Sequence, residues 1–197
     1  MIFPCAYLGP ISYYSALLQA ERVEIEGWES FPKRTYRNRC QIAGVNGVQM
    51  LTIPVGKCDS KQWTKDVKIT YQLPWQQQHW MALKSAYEHT PYYIYYEDYL
   101  RSFYEKKWDF LIDYDMELQQ TVLELMQVDC PARKGGAIIT KEWQGCRLED
   151  YWKEPDENNR KRYYQIFADK CGFQENLSII DLLFNMGPES QQILSIL

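Results

Sequence analysis

Histidine is nearly missing from this chain, which carries His79 and His89 and no other. The two are well separated, and no pair of carboxylates stands at ligand spacing around either, so the sequence implies no metal and no cofactor. Cysteine is present but unpatterned. The six residues Cys5, Cys40, Cys58, Cys130, Cys146 and Cys171 include no C-x-x-C pair, which speaks against a zinc knot and against a small disulfide scaffold. No G-x-S-x-G, Walker A or G-x-G-x-x-G motif occurs, which removes the common hydrolase, NTPase and dinucleotide-binding readings. Long hydrophobic runs are missing too. Residues 177–186 are the longest, about ten residues interrupted by Asp181, where a membrane span needs roughly 20. Residues 1–7 lack a basic flank, so the apolar start reads as an opening strand rather than a signal peptide. The expectation is a cytoplasmic protein with reduced thiols and no membrane span.

Positive charge is scarce overall, with a formal net charge of -4 over 197 residues. Against that balance, residues 31–40 place Lys33, Arg34, Arg37 and Arg39 within seven positions and include no acid. Cations this close repel one another unless a ligand or an acidic partner compensates. In a functional reading, Lys33, Arg37 and Arg39 share one face of an extended segment and grip phosphate or carboxylate oxygens bidentately, with Thr35, Tyr36 and Asn38 as neutral donors beside them. In the structural reading they are solvated charges before a hairpin, or partners of Glu24, Glu26 and Glu29. Both stay open, with the interleaved neutral donors favouring a binding surface. One short basic run in an acidic chain is too little for a nucleic-acid footprint. A small anion, such as a nucleotide-linked sugar, fits the charge count better.

The order of elements says where such a ligand would sit. Residues 2–8 form a short apolar run closed by Gly9-Pro10, Ser12 is placed to cap a helix carrying Tyr13, Tyr14, Leu17 and Leu18, and Val23 and Ile25 alternate with Glu24 and Glu26. That is a β-α-β start, and ligands collect beyond the carboxyl ends of its parallel strands, here residues 7–12 and 27–29. Tyr7 lies at that end. Residues 40–43 and 48–55 flank Gly44-Val45-Asn46-Gly47, where Asn-Gly supplies the positive φ of a tight hairpin. Residues 67–69 read as one more short strand.

From Pro74 the pattern turns helical. A helix is expected over residues 75–87, with His79 at its apolar edge, held by a hydrogen bond or serving in acid-base chemistry. The tyrosine-rich residues 91–104 hold too many rings for one buried stripe, so some hydroxyls face solvent or a ligand. Leu118, Val122 and Leu125 form an apolar row on a helix opening near Asp113 or Asp115, whose charges suit a helix start. Residues 129–160 show little periodicity, with Ile138-Ile139-Thr140 as a short strand in an expected loop or lid. Asn176-Leu177-Ser178 caps residues 179–186, and Gly187-Pro188 stops them. Asp181 and Asn185 share a face there and are candidate partners of the basic segment. Cys5 and Cys40 are candidate nucleophiles, Cys40 with cations beside it to lower its pKa, although small buried apolar residues is the plainer reading of both.

The fold expected is therefore α/β: an N-terminal β-α-β unit and β-hairpin over residues 1–72, a helical part over 73–128, the loop or lid, and C-terminal helices over 161–197, all one domain. The blocks Pro4-Cys5-Ala6-Tyr7-Leu8-Gly9-Pro10-Ile11-Ser12-Tyr13-Tyr14, then Lys33-Arg34-Thr35-Tyr36-Arg37-Asn38-Arg39, then Leu51-Thr52-Ile53-Pro54-Val55, then residues 80–93, resemble the WbqC-like proteins in the same order. The closing residues 177–187 resemble the version found in relatives of Bacteroides. The resemblance implies a place in bacterial surface-polysaccharide synthesis and a transferase role, adding an amino-acyl group such as glycine to an activated amino sugar. It also implies an anion site, and the ligand-binding candidates are Tyr7, Lys33, Arg34, Tyr36, Arg37, Asn38, Arg39 and His79. Two features depart from the family: the opening lacks a Gln-Pro-Tyr-Phe-Phe-Pro type motif, and Glu26-Gly27-Trp28-Glu29 stands where many members carry a run of aspartates. A non-catalytic scaffold, using the tyrosine-rich half as an interface, is the competing reading, and an oligomer stays open.

Overall fold

The structure is a computed structural model, and it describes residues 1–32, 35–58, 62–128 and 162–196, together with the backbone of Arg133 and Lys134. Strand β1 (Ile2–Pro4) leads through helix α1 (Ile11–Gln19) to strand β2 (Glu24–Glu26). The two strands pair in parallel with Phe3 opposite Ile25. Both of those side chains are fully buried, so the apolar position of each short strand points into the same core. A third strand, β5 (Arg133–Lys134), pairs in parallel with the other edge of β2, which makes β2 the centre of the sheet. The expected strand at Ile138-Ile139-Thr140 lies outside the described residues.

Helix α1 opens one residue before the Ser12 cap expected from sequence, because Pro10 in extended conformation already sets up its first turn. Ser12 instead donates its backbone N–H to Asn176 Oδ1 at 3.0 Å. Strands β3 (Arg39–Gly44) and β4 (Gly47–Thr52) form the predicted antiparallel hairpin with Val45 and Asn46 at its tip. Positive φ falls on Gly47, at +106°, and not on Asn46. Residues 67–69 make isolated bridges, Val55 to Ile69 and Lys68 to Phe110, rather than a strand of their own.

The helical half consists of α2 (Trp75–Tyr87), α3 (Tyr93–Glu105) and α4 (Leu111–Leu125), followed by α5 (Ala168–Cys171), α6 (Ile179–Met186) and α7 (Ser190–Leu194). Helix α4 begins at Leu111, ahead of both aspartates, because the Leu111 N–H is taken by the Val67 carbonyl at 2.9 Å and fixes the entry of the chain. At α6 the sequence reading holds. Ser178 caps the helix by accepting from the Ile180 N–H, and Gly187 ends it at φ +56°. The Ser178 hydroxyl also donates to the Leu8 carbonyl at 2.7 Å, which ties α6 to the turn after β1. The expected α/β class, with β1 to β4 in the first third and helices dominating afterwards, is what the structure shows. Among the described residues, no helix is long and apolar enough to cross a membrane.

Candidate functional site

The turn after β1 carries Cys5, Ala6, Tyr7 and Leu8 straight into the interior, each at most 2% exposed. Its path is set by backbone pairing, with the Tyr7 N–H donating to the Tyr36 carbonyl at 2.9 Å. It is also set by packing at Gly9, where a Cβ would lie 3.0 Å from the Ala6 Cβ and 3.1 Å from the Tyr13 ring. The Tyr7 ring therefore points at the helical half. Its hydroxyl stands 2.9 Å from His79 Nδ1 on α2 and 3.0 Å from the Tyr104 hydroxyl on α3. Three elements distant in sequence meet in that hydrogen-bonded triad. Trp75 walls it with edge-on contacts to His79, Tyr104 and Tyr114.

Burial decides the protonation of this group. His79 is held at a pKa of about 4, chiefly by burial, which a bond to the Thr52 backbone only partly offsets. It is neutral at pH 7 and acts as a hydrogen-bonding group there. Burial likewise keeps the Tyr7 and Tyr104 hydroxyls protonated well past their ordinary range. The triad can orient a polar group or relay a proton, but it supplies no positive charge.

Beside the triad lies a second polar cluster. Asp115, in the second turn of α4, is 1% exposed, and neither carboxylate oxygen has a hydrogen-bond partner. The Cys5 thiol faces it, and that side-chain contact eases the ionisation of Asp115 part of the way. Burial dominates and pushes the Asp115 carboxyl well above the usual carboxylate range. Burial, followed by the Asp115 charge, pushes both the Cys5 and Cys40 thiols well up. The cation-lowered thiol expected at Cys40 is therefore not found: its side chain is fully buried on the core face of β3, where desolvation raises the pKa and a hydrogen bond with Tyr7 only partly offsets it.

The basic block is folded rather than extended where it is described. The Asn38 N–H bonds the Thr35 carbonyl at 3.2 Å, so residues 35–38 turn and the shared extended face does not form. Arg37 is 4% exposed and donates Nε and a terminal nitrogen to the two oxygens of Glu29, both at 2.6 Å. Asn38 donates Nδ2 to the Ile53 carbonyl at 2.9 Å, and the Tyr36 hydroxyl donates to Gln41 Oε1 at 3.0 Å. Arg39 differs. Its Nε is buried and has no hydrogen-bond partner, and no carboxylate pairs with it among the described residues. Lys33 and Arg34 lie outside the described residues.

Asp181, offered by the sequence as a partner for these cations, is engaged elsewhere. It accepts from the Tyr163 hydroxyl at 2.5 Å and from Gln165 Nε2 at 3.2 Å. Burial raises its pKa to about 6, and hydrogen bonds from Tyr163, Tyr87 and Gln165 pull it back part of the way. Asn185 Oδ1 accepts from the Ile166 N–H at 3.3 Å, so this face of α6 anchors residues 163–166.

The structure thus brings Tyr7 and His79 together, places Tyr36, Arg37, Asn38 and Arg39 at the neighbouring turn and strand, and leaves His89 exposed next to Glu88. The sequence reading did not single out Asp115 as a site residue. A signal was available: Asp115 falls four after Leu111 and three before Leu118, on the buried row of α4. Nothing in the sequence marks Tyr104 apart from its neighbouring tyrosines, whereas the structural reading of the basic block, with Glu29 among its acidic partners, is met at Arg37.

Fold and site together define an α/β protein with a buried polar centre between a β-α-β turn and three helices. The family model of the WbqC-like proteins matches residues 5–154, and the chain belongs to that family. No curated protein and no solved structure matches it.

Proposed function

We propose that this WbqC-like protein binds a phosphorylated or nucleotide-activated sugar at the turn and strand next to Tyr7, and that it acts in surface-polysaccharide synthesis as an amino-acyl transferase. The observation that carries the binding reading is Arg39. A guanidinium whose Nε is buried without a partner is costly unless a ligand supplies the acceptor, and phosphate oxygens match its planar donor fork. Arg37 supports the site differently, since its charge is already met by Glu29 and it fixes the turn that delivers Arg39. The neutral Tyr7, His79 and Tyr104 triad offers groups for sugar hydroxyls. Isothermal titration with uridine diphosphate sugars and sugar 1-phosphates tests the reading. Saturable binding that Arg39→Gln abolishes, while the variant unfolds as cooperatively as the parent, is the expected result. Binding by no probe, or binding indifferent to Arg39, overturns it.

A second reading rests on α3, where Ile94, Tyr95 and Tyr99 are 76%, 68% and 60% exposed. Large apolar side chains standing together in solvent mark an interaction face, and a scaffold role would use it. Light scattering on the parent and on a Tyr95→Ser, Tyr99→Ser double variant separates the two readings: a stable assembly lost in the variant favours the scaffold.

A further inference from the structure

The β3-β4 hairpin has two outer edges, and the fold closes one of them. On β3 the outward Ala43 N–H donates to the Tyr87 hydroxyl at 3.1 Å, and the outward Gln41 carbonyl accepts from the Ser178 N–H at 2.8 Å. Hydrogen-bonded and open pairs alternate along an antiparallel ladder, so the residues opposite Ala43 and Gln41, which are Val48 and Met50, aim their own backbone groups away from β3. Thr52, the next residue on that outer edge of β4, is bonded by His79. At Val48 and Met50 no hydrogen-bond partner meets the outward backbone among the described residues.

Their side chains stand in solvent as well. Val48 and Met50 share one face of β4 and are 47% and 43% exposed. Edge strands that stay single are blunted by charge, proline or a bulge. Here residues 40–55 hold no charged side chain, β4 holds no proline, and its register with β3 runs from Gly47 to Thr52 without a bulge.

We propose that β4 is the contact through which two copies of this chain associate, edge to edge and antiparallel, about a two-fold axis at Gln49. A second copy is the occupant that the strand itself specifies. The axis sets Val48 of each copy opposite Met50 of the other, so the same pair of residues supplies the outward donors and acceptors on both sides and the apolar side chains that cover one another. Because the segment is uncharged, two chains of net charge -4 meet there without like charges in contact. The result is one sheet in the order β3-β4-β4-β3. The open edge is short, so the association is reversible and depends on concentration. It is independent of the ligand site and uses a surface other than Ile94, Tyr95 and Tyr99.

Sedimentation velocity on the full chain tests this between about 1 μM and about 1 mM, the range of a small transient interface. The parent shows a monomer–dimer equilibrium. Val48→Lys and Met50→Glu, both at exposed positions and each checked for cooperative unfolding, weaken it at least about tenfold, because each sets a charge against an apolar side chain. Mixing the two variants in equal amounts restores association, since the two-fold register then sets the lysine opposite the glutamate. Amide exchange at low and high protein concentration gives a second readout: the Val48 and Met50 amides slow on association, whereas those of Gln49 and Leu51, already bonded to β3, do not change. A parent that stays monomeric over the whole range overturns the proposal. So does a dimer that survives both substitutions, and one of that kind that dissolves in the Tyr95→Ser, Tyr99→Ser variant puts the contact on α3 instead.

Discussion

Arg37 and Glu29 face each other through two N–H···O bonds of 2.6 Å each, with the guanidinium side chain 5% and the carboxylate side chain 28% exposed. The pair locks the turn of residues 35–38 against the carboxyl end of β2, and so sets the line along which Arg39 enters β3. Removing one partner leaves the other desolvated and uncompensated. Arg37→Ala is expected to cost about 3 kcal/mol of unfolding free energy in urea titration. Glu29→Gln, whose side chain keeps more contact with water, is expected to cost less. The double variant Arg37→Met, Glu29→Leu should recover part of the loss, because the buried charge goes with its partner.

The end of α6 is a packing lock as well as a backbone stop. At Gly187 φ is +56°, and a Cβ there would lie 2.4 to 2.6 Å from atoms of the Tyr92 ring. Gly187→Ala combines backbone strain with a clash against an aromatic ring and is expected to lower stability by at least about 2 kcal/mol. Ser178→Ala, at the other end, loses the cap and the bond to Leu8, about 1 to 2 kcal/mol. Thermal unfolding followed by circular dichroism ranks the two, with Gly187→Ala expected as the larger loss.

His79 and Asp181 pull the pH dependence of stability in opposite directions. The folded His79 has its pKa lowered from 6.5 to about 4, so its contribution is full above 6.5 and is lost as pH falls toward 4. The folded Asp181 has its pKa raised from 3.8 to about 6, so its contribution is full below 3.8 and is lost as pH rises through 6. Each shift corresponds to about 3 kcal/mol. Between pH 4 and 6 the two largely offset one another. The difference between parent and His79→Gln should move against the parent on acidification, and the difference between parent and Asp181→Asn should move against it on raising the pH. Urea midpoints at half-unit pH steps read both slopes, and a flat difference for either variant contradicts the assignment.

Thiol chemistry follows burial in the same way. Cys5 and Cys40 are 1% and 0% exposed with pKa values pushed well up, while Cys171 is partly exposed on α5. Limited iodoacetamide treatment of the native protein, mapped by peptide mass, should label Cys171 and spare Cys5 and Cys40. Labelling of all three at one rate would contradict the burial that Asp115 shares with them.

Local patterns carried much of the fold. The hairpin at Gly44 to Gly47, the helix from Trp75 to Tyr87, the Ser178 cap and the Gly187 stop were legible because each depends on residues a few positions apart. Boundaries slipped where a distant group intervened, as at α4, whose first turn is placed by Val67 and not by Asp113. Of the site, Tyr7 was legible as a strand-end residue and His79 as a helix-edge residue, but not their meeting. The basic block shows the same division: the sequence offered Glu24, Glu26 and Glu29 as partners for four cations, and only folding chose Glu29 for Arg37.

The sequence by itself determined the class of elements, their order, and the presence of a charge cluster that had to be compensated somewhere. Tertiary structure alone decided that Arg37 is neutralised and Arg39 Nε is not, that Asp115 lies in the interior without a partner, and that His79 is neutral. The physical reason is range. Turns, caps and periodicity are set by neighbours along the chain, whereas desolvation and ion pairing depend on which distant elements close over a side chain.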